Sequence, residues 1–281
     1  MPFKALVTCL LTLTASVAYG QDRRPSHCIA IADAAPGLEY VQLASFSEPL
    51  ADEYTVRIRY IDHAMFLLKT YGGLTAITDY AGYLGQAGLV PDVATMNNAH
   101  STHWTPYPDP DITYVLKGWG DGQGAFADHH LDLGEMLIRN IPTDIRSSFS
   151  GAVPFGNSIF IFEVGGLCIG HMGHLHHEPS DEQYAALGRL DVTMVAVDGG
   201  ATLDHDTVVK MLKRLRSSIV IPMHWFGRST LEGFLVRMAE DFDIRRDGEV
   251  QIDVSLRNLP SRPTVVVLEP RALSAQDLGT K

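Results

Sequence analysis

Apolar positions along the chain change rhythm partway through. Residues 54–61 alternate polar and apolar, residues 64–68 are continuously apolar, and residues 74–78 follow the Gly72-Gly73 pair. A period of two sends successive side chains to opposite faces of a pleated strand, so these segments predict a β-meander. Further strands are predicted at 92–96, 112–117 and 135–139, among a proline-stiffened loop at 105–110 and a glycine-rich loop at 118–124. That glycine loop carries no phosphate-loop lysine and opens no helix, so it reads as a turn rather than a nucleotide cradle.

Beyond residue 180 strands and helices alternate. Helical spacing predicts helices at 180–190, where Ser180 suits an N-cap, at 206–216 and at 230–241. In the second of these, Val208, Val209, Leu212 and Leu215 share one face. Strands are predicted between and after them at 191–197, 219–223, 250–256 and 264–268. A meander followed by alternating strands and helices predicts a layered α/β fold, and no linker divides it.

Several predicted strands end in histidine. The apolar run 159–168 leads into Ile169-Gly-His-Met-Gly-His-Leu-His-His177, which holds His171, His174, His176 and His177. His100-Ser-Thr-His103 follows the strand at 92–96, and His224 follows residues 218–223. Imidazoles at separate strand ends predict one convergent metal site, against the simpler reading of solvated or structural histidines. His27, His129, His130 and His205 read as surface or loop residues.

The amino terminus has its own pattern. Lys4 precedes an apolar run from Ala5 to Ala18, and Ala18-Tyr-Gly20 offers small residues for cleavage, so residues 1–20 read as a secretory signal. Residues 21–52 read as an extended leader, 53–270 as the domain and 271–281 as a tail. The expected address is periplasmic or secreted. That run is too short and threonine-rich for a comfortable membrane span, so no stable membrane insertion is expected. The formal net charge is −11 and becomes one unit more negative without Lys4, which argues against nucleic acid as the main partner and leaves a small-molecule substrate. Without Cys9, only Cys28 and Cys168 remain, and Cys168 in an apolar strand reads as a buried free thiol.

Four short motifs give the domain a resemblance to a known family. Residues 61–68, Ile-Asp-His-Ala-Met-Phe-Leu-Leu, resemble an early "GHA-x-FLI" strand, and Ala76-Ile-Thr-Asp79 a strand end written "LiDP". Residues 167–177 resemble an "HLGDLGH" turn and Ile221-Pro-Met-His224 a terminal "PMH". These are motifs of metallo-β-lactamase-fold hydrolases, in the branch with lactonase-like and phospholipase-D-like members. A subgroup with "HLGHLHH" in the turn is nearer still. The resemblance covers residues 54–268 and implies a four-layered αββα sandwich.

The resemblance also marks departures. The family's H-x-H-x-D-H loop reads Asn98-Ala-His100-Ser-Thr102-His103 here, and its metal-bridging aspartate aligns with His174. The family's intervening histidine has no clear counterpart near residues 141–145, where Asp144 is the nearest stand-in. A carboxylate can bridge two ions, whereas a neutral imidazole serves one, so the departures favour a single metal. The matched positions His100, His103, His174 and His224 are the expected ligands of one zinc, with iron or manganese as alternatives. The favoured set is His103, His174 and His224 plus water, with His100 nearby. Asp79, His63 and His171 are expected in the second layer or lining the pocket.

Two functions follow. The first is an exported hydrolase whose metal-bound hydroxide attacks an ester, lactone, amide or phosphodiester. The second is a non-catalytic metal- or ligand-binding member of the fold with a degenerate site, since no carboxylate remains between Asn98 and His103.

Overall fold

The computed structural model describes residues 23–30, 45–121, 124–146 and 151–279, so the expected signal at 1–20 lies outside the described residues. In chain order the first elements are α1 (His27–Ala30), β1 (Val56–Asp62), β2 (Met65–Lys69), β3 (Thr75–Ile77), β4 (Val93–Met96), β5 (Tyr114–Lys117), β6 (His130–Asp132), β7 (Met136–Arg146) and β8 (Ala152–Val164). There follow β9 (Leu167–His171), α2 (Asp181–Leu187), β10 (Val192–Ala196), α3 (His205–Leu215), β11 (Ile219–Met223), α4 (Arg228–Met238), β12 (Asp243–Arg245), β13 (Gln251–Val254) and β14 (Thr264–Val266).

The meander forms as its alternation predicts, with β1, β2 and β3 paired antiparallel in sequence order. β4 and β5 extend it in parallel, and β13 closes the other edge, giving a six-stranded sheet. The second sheet is eight-stranded, in the order β12-β14-β11-β10-β9-β8-β7-β6. Its half from β9 to β12 is parallel, which requires the crossovers that α2 and α3 supply.

The sheets pack face to face through Ile58, Tyr60, Phe66 and Leu68 of the first and Phe160, Phe162, Ile169 and Met194 of the second, all buried. The other face of the second sheet packs on α2, α3 and α4 through Leu187, Val208, Met211, Phe234 and Leu235. Burying Val208, Met211 and Leu212 of α3 contributes roughly 1.5–3 kcal/mol each, more than the ~1 kcal/mol of its Asp204 cap on Thr207 N–H. Packing therefore fixes that helix and the cap sets where it starts. The layered α/β sandwich is thus as expected. Outside the first sheet, the covering layer among the described residues is loop and 3-10 turn, built on Phe46, Tyr80, Leu84 and Leu273.

That cover changes the meaning of the polar positions in β1. Arg57 and Arg59, which alternation places on the outer face, are each 1% exposed. Arg57 makes a bidentate pair with Asp253 at 2.7 Å and donates to the carbonyls of Ser45, Phe46 and Glu48. Arg59 pairs with Asp277 at 2.9 Å, in the segment expected to be a tail. A buried guanidinium without a partner would be strongly destabilising, so these pairs hold residues 45–48 and 271–279 on the sheet.

Three expectations need correction. The apolar run 159–168 is not one strand: Gly165 and Gly166, both at positive φ, turn it into a hairpin between β8 and β9. The strand expected at 135–139 continues to Arg146 because β8 pairs along its full length. Cys168 is not a free thiol but is bonded to Cys28, beside which α1 packs on α2. Among the described residues no helix is long and apolar enough to cross a membrane.

The Cys28–Cys168 bridge joins positions 140 residues apart and buries both sulfurs. Replacing both cysteines with serine is expected to lower unfolding stability by about 2–5 kcal/mol, read from the urea midpoint. An unchanged midpoint would show that the bridge adds nothing to the packing around it.

Candidate metal centre

Histidine-bearing turns meet at one rim of the two sheets. His63 sits in the β1–β2 turn, Asp79 follows β3, His103 lies beyond β4, His174 follows β9, Asp198 follows β10 and His224 follows β11. The carboxyl ends of parallel strands are where α/β sheets gather such loops. Three of these residues have left-handed backbones: His63 at φ 43°, Asp79 at φ 46° and His224 at φ 60°. Each costs on the order of 1–3 kcal/mol and must be held by its surroundings. His224 N–H donates to the His63 carbonyl at 2.9 Å, and the buried Tyr60 hydroxyl donates to the same carbonyl at 2.5 Å.

The ring atoms define the centre. One donor atom each from His63, His103 and His224 lies within 4.8 Å of the others. His174 packs on the same rings, with its centroid 4.6 Å from His103 and 5.2 Å from His224. His100 is exposed at the mouth, 5.6 Å from His174 and 5.8 Å from His103 between centroids, and its Nδ1 is 3.1 Å from Thr102 Oγ1. The residues expected as ligands are thus neighbours, and His63, expected only in the lining, stands among the donors.

Two buried carboxylates stand behind these rings. Asp79 Oδ2 accepts from His103 Nδ1 at 2.6 Å, while Asp79 Oδ1 accepts from Asn97 N–H at 2.8 Å. Asp198 Oδ2 stands 2.9 Å from His224 Nδ1, close enough for charge pairing but without the alignment of a hydrogen bond. With Nδ1–H directed to Asp79, His103 presents a lone pair at Nε2. The Nε2 atoms of His103 and His224 face each other at 3.2 Å. That gap suits either a proton on one Nε2, which makes the contact a hydrogen bond, or a cation shared by both rings. Buried His63 Nε2 and His174 Nδ1 have no hydrogen-bond partner, which fits the shared cation.

Electrostatics keep the cluster neutral. Burial, then His224, His103 and His100, lowers the His63 pKa to about 3. Burial, then His224 and His100, lowers that of His103 to about 3. His174 falls to about 2 through burial and the His103 and His224 rings, and His176 to about 4 through burial, Arg146 and His177. Burial pushes Asp79 up to about 6, against the pull of His171 and the Asn97 N–H. Burial also raises Asp198, but His224 and the N–H groups of Thr202 and Gly200 outweigh it and hold the carboxyl well below the usual range. At neutral pH His63, His103, His174 and His176 are therefore unprotonated, and Asp79 and Asp198 are ionised.

Other expected residues lie elsewhere. His171 does not line the pocket: as the last residue of β9 it is fully buried between the sheets. Asp144 accepts from Phe155 N–H within the β7–β8 hairpin. His176 Nδ1 accepts from Arg146 N–H at 2.6 Å and its ring is 4.8 Å from His174, while His177 is exposed. His129 lies in the loop before β6 as expected, His27, His130 and His205 fall in α1, β6 and α3, and all four are half-buried. A second cluster of His27, Cys28 and Cys168 is no metal site, because both sulfurs are in the disulfide. Asp198 carried no expectation, although Asp198-Gly-Gly200 at a strand end resembles the placing of Asp79.

Comparison with known proteins agrees with this architecture. The profile of the beta-lactamase superfamily domain matches residues 57–224. A UPF0173 protein of Pyrococcus abyssi is 24% identical over 195 residues, covering 64% of this chain and 89% of its own. A candidate Zn-dependent hydrolase of the metallo-beta-lactamase superfamily from Thermotoga maritima superposes with a TM-score of 0.57 at 21% identity, covering 76% of this chain and 99% of its own. A metallo hydrolase of Ignicoccus hospitalis gives 0.50 at 17% identity, over 72% and 99%.

The pKa directions set the acid stability. The unfolded chain protonates its histidines near pH 6.5, whereas folded His63, His103, His174 and His176 stay neutral to pH 4 or below. The unfolded state then binds more protons across this window, so stability falls as pH drops from about 6.5 toward 4. Raised Asp79 acts oppositely between pH 3.8 and about 6, one group against several. The melting temperature of metal-free protein is expected to drop from pH 7 to pH 5, and a rise would contradict the neutral cluster.

Proposed function

Because the chain belongs to the beta-lactamase superfamily, among its metallo-β-lactamase-fold, metal-dependent hydrolases, we propose that it is an exported hydrolase using one zinc ion held by this centre. The observation that carries the proposal is the pair of Nε2 atoms of His103 and His224 at 3.2 Å, each backed by a buried carboxylate. An all-nitrogen donor set suits zinc, with iron or manganese as alternatives. His63, His103 and His224 would hold the ion, with His174 alongside and His100 at the mouth. The ion supplies Lewis acidity and a hydrolytic nucleophile at neutral pH.

The chain's own residues do the rest. Asp79 keeps the Nδ1 proton of His103 in place, so that ring keeps its lone pair toward the ion, while Asp198 lies 2.9 Å from His224 Nδ1. Phe226, 69% exposed, lies 5.3 Å from the His224 ring and 5.9 Å from the His63 ring and gives the mouth an apolar wall. Among charged side chains, Asp198 acts on the His63 and His103 rings and Arg146 on His176. Arg146 is already committed to the carbonyls of Gly200, Ala201 and Thr202. The apolar wall suits an acyl substrate, an ester, lactone or amide, with a phosphodiester as the alternative. Export is supported by the apolar run at residues 5–18 and by a disulfide, a bond that persists in oxidising compartments.

One observation favours the non-catalytic alternative: the clustered donors are three imidazoles, with Thr102 exposed where a carboxylate would assist. Metal content and turnover separate the two. Purified protein is expected to carry about one zinc per chain, and His103→Ala or His224→Ala to lose the metal and at least about 100-fold in turnover together. Tested on phenyl esters, lactones and bis(p-nitrophenyl) phosphate, a fully loaded protein with no turnover would leave only the binding function. About two metals per chain would mean a different ligand set, and none would remove the proposal.

A further inference from the structure

His171 stands out as a buried imidazole that the site itself does not use. It ends β9, facing the first sheet, on the same side of the strand as the core residues Leu167 and Ile169. A polar ring in that position must satisfy both nitrogens or destabilise the core, and it does. Nε2 lies 2.8 Å from the carbonyl of Ala64, which can only accept, so Nε2 carries the proton. Nδ1 accepts from Gly173 N–H at 3.2 Å and lies 3.0 Å from Asn97 Nδ2, a second donor. One ring thus has a fixed tautomer and three partners, each from a different segment.

Each partner leads directly to a donor of the metal centre. Ala64 follows His63, whose own carbonyl receives the His224 N–H. Gly173 precedes His174, and it sits at φ +63°, where an added Cβ would meet Asn97 Nδ2 at 2.5 Å. The backbone N–H of Asn97 donates to Asp79, whose other oxygen holds His103. Thr78, just before Asp79, joins the same knot by donating its hydroxyl to Ala64 O at 3.0 Å.

From these contacts we propose that His171 is a positioning residue that sets the spacing of the donor histidines, without touching metal or substrate. It ties the His63, His174 and His103 turns to one rigid ring between the sheets. The inference rests on the metal-binding reading above and adds a residue to it. Removing a group that orients metal ligands typically weakens binding about 10–100-fold.

The test is Co2+ titrated into metal-free full-length protein, followed by its visible absorption bands, with the melting temperature of each metal-free variant measured alongside. His171→Leu fills the space without hydrogen bonds and is expected to weaken Co2+ binding about 10–100-fold and shift the bands. His171→Asn keeps an acceptor near the Nδ1 position but cannot reach Ala64, so a smaller loss of at least about 3-fold is expected. Wild-type affinity and bands in a folded Leu variant would overturn the proposal, since a merely structural residue lowers the melting temperature and leaves binding unchanged. If the Leu variant does not fold, wild-type binding by folded Asn variant overturns it instead. Failure of the wild-type protein to bind Co2+ would overturn the metal reading and this inference with it.

Discussion

Two imidazole nitrogens pointed at each other across 3.2 Å form an arrangement that a protein does not hold without cause. Here the cause is built in two steps. Buried Asp79 accepts the Nδ1 proton of His103, which turns that ring's lone pair inward, and buried Asp198 stands 2.9 Å from His224 Nδ1. Burial then keeps the surrounding rings unprotonated, because a charged imidazole in that position would lose its hydration and meet its neighbours' charge. What results is a concentrated patch of electron-pair donors, backed by buried carboxylates.

The fold serves this constraint by bringing two sheets to a common rim. The first sheet contributes His63, Asp79 and His103, and the second contributes His174, Asp198 and His224. Neither sheet holds a full set, so the site depends on the packing between them. The left-handed backbones of His63, Asp79 and His224 lie at this junction, held by hydrogen bonds such as that from His224 N–H to the His63 carbonyl. Strain there is offset by the apolar core below. The Arg57 and Arg59 pairs and the disulfide pin the outer segments to the same body.

Much of this was legible in the chain alone because the signals are local. Period-two alternation found the meander, helical spacing found α2, α3 and α4, and histidines at strand ends pointed to one rim. The failures have physical reasons. His171 looked like a turn residue because the apolar run hid the Gly165-Gly166 hairpin, and only the resulting register puts its ring between the sheets. His63 was seen in the lining, since its rank among the donors depends on a turn with positive φ that sequence spacing does not display. The partner of Cys168 lies 140 residues away, beyond any local pattern. Asp198 had a signal, a strand ending in Asp-Gly-Gly, that gains meaning only beside His224.

The central claim is that one cation is held by nitrogen atoms of histidine at this rim. X-ray absorption at the zinc edge of the loaded protein tests it most directly. The account expects a shell dominated by imidazole nitrogen at about 2.0–2.1 Å, with the outer scattering of histidine rings. A shell of sulfur near 2.3 Å, or one made of oxygen alone without ring scattering, would contradict it.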